Sequence, residues 1–229
     1  MDSPVSAISY LSRAKQLLSS GDKASLFYAA LELRCGVEAR LKEHAAVAVG
    51  VSKTQLGHYE IRKLSKTVEE AFGLGDTFLI VFLELVDGRA GQFMYAPVNT
   101  QLQSIAARLG DYLHAVPHEK VVADGFWENL RSQLTEGCGL LELACSSEVL
   151  RPSFDQGLHF CLPPEDSRVA IIVDYMNGIE GTVRTATITP VGPLTYYPGD
   201  SSNTSVKAAP FGRWTLRDKA LRSAPYLIR

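Results

Sequence analysis

Along the first 150 positions apolar residues recur mostly at three- and four-residue intervals, the spacing that lines one side of an α-helix. Val5, Ile8, Leu11 and Leu18 give a first helix its apolar side, with Ser3 capping it ahead of Pro4. Gly21 breaks that helix, and Asp22 caps a longer second one. There Leu26, Ala30, Leu33, Val37 and Leu41 form one stripe. After a looser stretch between Gly50 and Gly57, a third helix is predicted over 60–71, with Ile61, Leu64, Val68 and Phe72 inward.

The texture then changes. Residues 77–86 and 92–98 are β-branched and aromatic, and Asp87-Gly88-Arg89-Ala90-Gly91 between them is turn chemistry, so a β-hairpin is predicted at about 78–97. A lone hairpin is marginal in water, so this one leans on the helices or pairs with other strands. Asn99 caps a further helix running to about His114, with Leu102, Ile105, Leu109 and Leu113 (or Tyr112) inward. Pro117 stops it. Trp127, Leu130, Leu134 and Leu141 mark the next helix, with Gly137 and Gly139 as candidate interruptions.

Past about 150 the helical period fades. Segments 158–162, 168–175, 181–189 and 194–197 read as short strands, punctuated by Pro163-Pro164, Asn177-Gly178 and Pro198-Gly199. Val169 to Val173 is apolar at every position, as in a strand covered on both faces. A polar loop follows over 198–209, and 213–223 reads as a last helix. The expected class is α+β. A helical bundle with an inserted β-hairpin occupies residues 1–150, and a small, mostly antiparallel sheet region with a basic tail occupies 151–229.

Composition narrows the classes without choosing among them. Of 229 residues 46% are hydrophobic and 21% charged, which supports a buried core and excludes a disordered or fibrous chain. The net charge of −2 argues against a general nucleic-acid coat protein. The longest apolar run, 78–86, is short and holds Glu84, so no membrane span is expected. Met1-Asp2-Ser3-Pro4 shows neither a basic stretch nor an apolar one, so no signal peptide is expected. Cys35, Cys138, Cys145 and Cys161 show no CxxC pair and no zinc spacing. They read as buried small hydrophobes in a reducing, cytoplasmic setting.

Charge is uneven along the chain. Residues 1–150 carry a net of −4 and 151–229 a net of +2. From Ser205 onward, six cations face Asp218 alone, interleaved with Phe211, Trp214 and Tyr226. Cations release counterions on phosphate contact and aromatics stack on bases, so Arg213, Arg217, Arg222 and Trp214 are candidate nucleic-acid contacts. The same pattern fits a solvated element packing its aromatics inward, or a surface that docks an acidic protein.

The local constellation closest to chemistry is Arg108-Leu109-Gly110-Asp111-Tyr112-Leu113-His114, an Arg and a His with five residues between them late in a helix. With the helix from Phe27 to Leu41, it resembles the HEPN superfamily over residues 5–150. That resemblance implies an α-helical bundle. In active members it implies a metal-independent ribonuclease, often a toxin or antiviral effector, that dimerises so that two such motifs share one cleft. Carried onto this chain, it makes Arg108 and His114 the candidate catalytic pair, with no cofactor, RNA as substrate, a homodimer, and a protein partner as regulator.

The residue types suit that chemistry. The 2′-hydroxyl of RNA can attack the neighbouring phosphate if a group titrating near neutrality takes its proton, and His does so. Arg offers a fixed, bidentate cation to the phosphate oxygens. On a continuous helix, however, six residues leave the two side chains about 120° apart with a rise of roughly 9 Å. Leu109 stands where the family places a polar residue. The alternative is a structural pair in a catalytically inactive module that docks a protein or nucleic acid, with Arg108 solvated or paired with Asp111 and His114 at a helix end.

Asp111, His114 and His118 offer a metal reading that Pro117 breaks, so no metal is expected. Arg34 and Glu38 are spaced for a surface ion pair. His44, His58 and His159 read as surface or packing histidines.

Overall fold

A computed structural model describes residues 3–112, 125–177, 183–192 and 214–215, with Trp214 and Thr215 described for their backbone alone. The class is α+β. Among the described residues there are seven helices, a set of antiparallel strands and a separate two-stranded sheet. The described residues contain no helix long and apolar enough to cross a membrane. The chain forms two compact units.

The first unit is helical and includes residues 3–76 and 98–146. Helix α1 (Ala7–Ser20) is capped by Ser6, whose Oγ accepts from the Ser9 N–H, and not by Ser3 as expected. Ser3 instead accepts the Ser6 N–H through its carbonyl, in a turn that precedes the helix. Gly21 ends α1 with a φ of 84°, a conformation that favours glycine. Asp22 then caps α2 (Lys23–Val47) through the Ser25 N–H. The Ser25 hydroxyl, donating to the other carboxylate oxygen, and then the Ser25 N–H hold the Asp22 carboxyl down at about 2.

The predicted stripe Leu26, Ala30, Leu33, Val37 and Leu41 is buried throughout. Around it pack α1, α4 (Ile61–Phe72), α5 (Thr100–Tyr112) and α6 (Phe126–Cys145), while the short α3 (Lys53–Leu56) buries no residue. Asn99 caps α5 as expected, accepting from the Leu102 N–H at 2.8 Å.

Gly137 and Gly139 do not interrupt α6. Gly137 is a packing residue: a Cβ there would lie 2.7 Å from Leu33 Cδ2 and 3.1 Å from Ile105 Cγ2. Gly36 does the same for α2, where a Cβ would lie 2.7 Å from Leu141 Cδ2 and 3.2 Å from Tyr10 Cβ. Two absent side chains thus set how closely α2 approaches α1 and α6.

The second unit includes residues 77–97, 147–177, 183–192 and 214–215. The hairpin is present as β1 (Phe78–Leu85) and β2 (Ala90–Tyr95), paired from Leu79 with Tyr95 to Glu84 with Ala90. Its other neighbour is β5 (Val183–Gly192), which is also antiparallel to β1, and the two-residue β6 (Trp214–Thr215) lies beside β5. The sheet order is β2-β1-β5-β6. A separate pair, β3 (Val149–Arg151) and β4 (His159–Phe160), covers part of the expected 158–162 strand.

Two expected elements differ. Residues 168–175 are not a strand: helix α7 spans Val169–Met176. An apolar run of this length fits either element. The residues before it decide, because Asp166 accepts the Arg168 N–H and its carbonyl accepts the Val169 N–H, turning the chain into a helix. Buried Ile171, Ile172 and Tyr175 then keep a helical period. The last helix expected over 213–223 is not seen at Trp214–Thr215, where the backbone bonds to Thr187 and Ile188 as strand. The rest of that segment, and the strand expected at 194–197, lie outside the described residues.

Candidate functional site

Arg108 lies in the last turn and a half of α5. The register of that turn follows from its neighbours. Leu109 is fully buried, and the Tyr112 ring meets Phe126 edge-on at 5.7 Å. Arg108 and Asp111 consequently face solvent. Arg108 Nη1 donates to Ser104 Oγ at 3.3 Å, one turn back. Of the two structural alternatives, Arg108 solvated or paired with Asp111, the first is seen: Arg108 is exposed and has no carboxylate partner among the described residues. His114 and His118 lie outside the described residues, so the structure places only one member of the candidate pair.

Arg34 on α2 is a residue that sequence reasoning assigned elsewhere. A Cβ on Gly110 would sit 3.5 Å from Arg34 Nε, so the guanidinium lies in ordinary contact distance of α5 at this turn. Arg34 Nε is buried and donates to no partner among the described residues. The expected Arg34–Glu38 pair is not formed: Glu38 binds Lys42 Nζ at 2.6 Å, and Glu32 binds Arg13 Nε at 2.8 Å. The signal for Arg34 was the glycine inside Arg108-Leu109-Gly110-Asp111, which costs helix propensity unless something packs there. Two arginines without a carboxylate, Arg34 and Arg108, thus lie around Gly110, with Asp111 exposed on the same turn.

The tail candidates contribute no described side chain. The backbone of Trp214 pairs with Ile188, and Arg213, Arg217 and Arg222 lie outside the described residues.

A second charged cluster belongs to the other unit. Arg168 donates to Glu148 at 2.5 Å, to Asp166 at 2.7 Å and to the Gln92 carbonyl at 2.9 Å, and its guanidinium lies 5.3 Å from the centre of the Phe93 ring. Its pKa is raised by the hydrogen bond to Asp166 and then by that to Glu148. The Asp166 carboxyl is pulled down to about 2. Every polar end of this cluster is satisfied. It ties α7 to the outer edge of β2 and leaves no group free to act on a ligand.

The thiols do not behave alike. Cys138 is buried, and burial pushes the thiols of Cys138 and Cys145 up to about 11. Cys161 is exposed and Cys35 and Cys145 are half-buried, so of the four cysteines expected to be buried only Cys138 is fully so. His44 is a packing histidine, fully buried and edge-on to Phe72 at 6.4 Å.

Comparison with protein-family models, with curated proteins and with solved structures finds no match for this chain.

Proposed function

We propose that the chain is a HEPN-like, metal-independent endoribonuclease whose site is built at the end of α5 around Arg108 and His114. The observation that supports this reading is the placement of Arg108, exposed on α5 and held by a single hydroxyl, with Arg34 at Gly110 and no carboxylate neutralising either. An exposed arginine with a second arginine packed beside the same turn favours an anion there, and arginine suits phosphate.

In the proposed reaction His114 takes the proton of an RNA 2′-hydroxyl. The 2′-oxygen bonds to the adjacent phosphorus as the bond to the 5′-oxygen breaks, and the leaving oxygen regains a proton. Arg108 stabilises the charge gathered on the phosphate oxygens. Arg34 adds to the field around the strand. The setting is a toxin or antiviral system in the cytoplasm, with the activity held in check by a protein partner. The test is cleavage of RNA by the purified chain against Arg108→Ala and His114→Ala, with EDTA present throughout. Unchanged cleavage in both variants would leave the alternative, a catalytically silent docking module.

A further inference from the structure

The buried core of the helical unit contains no Phe, Tyr or Trp among the described residues. Four aromatic side chains gather instead at one end of it, where α2 begins, α5 ends and α6 begins. All four are half-buried. Trp127 is at their centre. Phe126 meets it edge-to-face at 5.0 Å and Phe27 does so at 5.5 Å, while Tyr112 meets Phe126 at 5.7 Å. Such contacts have preferred ring orientations, so the indole is braced by two neighbours.

A cation marks the face that stays open. Lys23 is exposed, and its ammonium lies 5.0 Å from the centre of the Trp127 ring. A solvated lysine reaches only a ring face that solvent also reaches. Tyr112 is one turn beyond Arg108, and Phe27 lies two turns before Arg34 on the same side of α2. The aromatic cluster is therefore continuous with the turn that carries the proposed cleavage site. A flat apolar face with a cation above it and arginines beside it fits a base carried on a phosphate strand.

Charge alone would not select the strand. Asp111 and Glu128 are exposed on neighbouring turns and offset part of the positive charge, while Asp22 is engaged in its helix cap. Duplex and single-stranded RNA carry the same phosphates, but only an unpaired base can lay its face on an indole.

We infer that the open face of Trp127 is a stacking platform for an unpaired base, and that the substrate is single-stranded RNA. Its phosphates reach Arg108 and Arg34, and Lys23 moves from the ring to the strand. This rests on the reading of RNA as the substrate, but its test reads binding and not cleavage.

The experiment uses the full chain with His114→Ala to block cleavage. Trp127 and Trp214 are its two tryptophans, so Trp214→Phe makes Trp127 the sole indole reporter. A short oligouridylate is expected to quench Trp127 fluorescence saturably. An RNA duplex of the same length should bind about tenfold more weakly or worse, and inorganic polyphosphate should not quench. Affinity is read independently from the anisotropy of a labelled oligouridylate. Trp127→Leu should weaken it by roughly 5- to 100-fold with helical circular dichroism intact, and Trp127→Phe should keep most of it. Lys23→Glu, at an exposed position over the ring, provides the same test if Trp127→Leu does not fold. Equal affinity for the duplex, binding without quenching, binding that neither variant weakens, or no binding of oligouridylate would overturn the inference. Single-strand binding and quenching as expected, with no cleavage by the wild-type chain, would remove the proposed reaction and leave the platform standing.

Discussion

Gly137 of α6 lies against Leu33 of α2 so closely that a single methyl group would reach within 2.7 Å of the Leu33 Cδ2 atom. Ordinarily alanine in place of glycine favours a helix by about 1 kcal/mol. Here overpacking opposes that gain, because Leu33 is itself fully buried and has no room to move. Gly137→Val is expected to destabilise the chain by about 1–3 kcal/mol. Gly110→Ala offers the contrast: its Cβ would meet Arg34 Nε at 3.5 Å, an ordinary contact. That variant should gain up to about 1 kcal/mol. Urea denaturation of the two variants beside wild type checks both signs.

Arg168 is expected to hold the second unit together at the edge of β2. Removing it as Arg168→Ala breaks bonds to two carboxylates and a backbone carbonyl, at a cost of about 1–3 kcal/mol in thermal or urea denaturation. The carboxyl of Asp166 provides an independent reading. In the folded chain it titrates at about 2, below its ordinary 3.8, because Arg168 donates to it. The ionised form is the one the fold favours. This contribution to stability is therefore fully present above pH 3.8 and is lost as pH falls through about 2. Carbon-detected NMR titration should show the Asp166 value rising toward 3.8 in Arg168→Ala.

The four thiols should separate by reactivity. Cys161 is exposed and should be labelled first by a disulfide reagent at neutral pH. Cys138 and Cys145, with thiols near 11, hold little thiolate there and should react orders of magnitude more slowly until the chain unfolds. Fast labelling of Cys138 in the native chain would contradict the packing of α6.

Much of this fold was legible along the sequence wherever one period ran unbroken. The α2 stripe and the Asp22 and Asn99 caps are where the spacing and cap chemistry put them, and so is the hairpin around Asp87-Gly88. Legibility failed where period carries no information. Val169 to Val173 is apolar at every position, so it fits strand and helix alike, and the decision came from Asp166 and its bonds to the following backbone. The glycines of α6 look like breaks in one dimension and are contact points in three. Arg34 escaped notice for a related reason. Spacing within α2 suggested Glu38 as its partner, whereas its Nε lies beside Gly110, 76 residues later in the chain. The Arg108 motif could be read as a pattern. Its exposure depended on which neighbours, Leu109 and Tyr112, took the inner side of α5.

The measurement that bears most directly on the proposed activity is RNA cleavage by the purified full chain in EDTA, compared with His114→Ala and Arg108→Ala folded to the same circular dichroism. Metal-free cleavage by wild type is expected, with each substitution lowering the rate by about 10²-fold or more, as loss of a positioned acid–base or phosphate-binding group does. Cleavage that EDTA abolishes, or that persists unchanged in His114→Ala, would contradict the account.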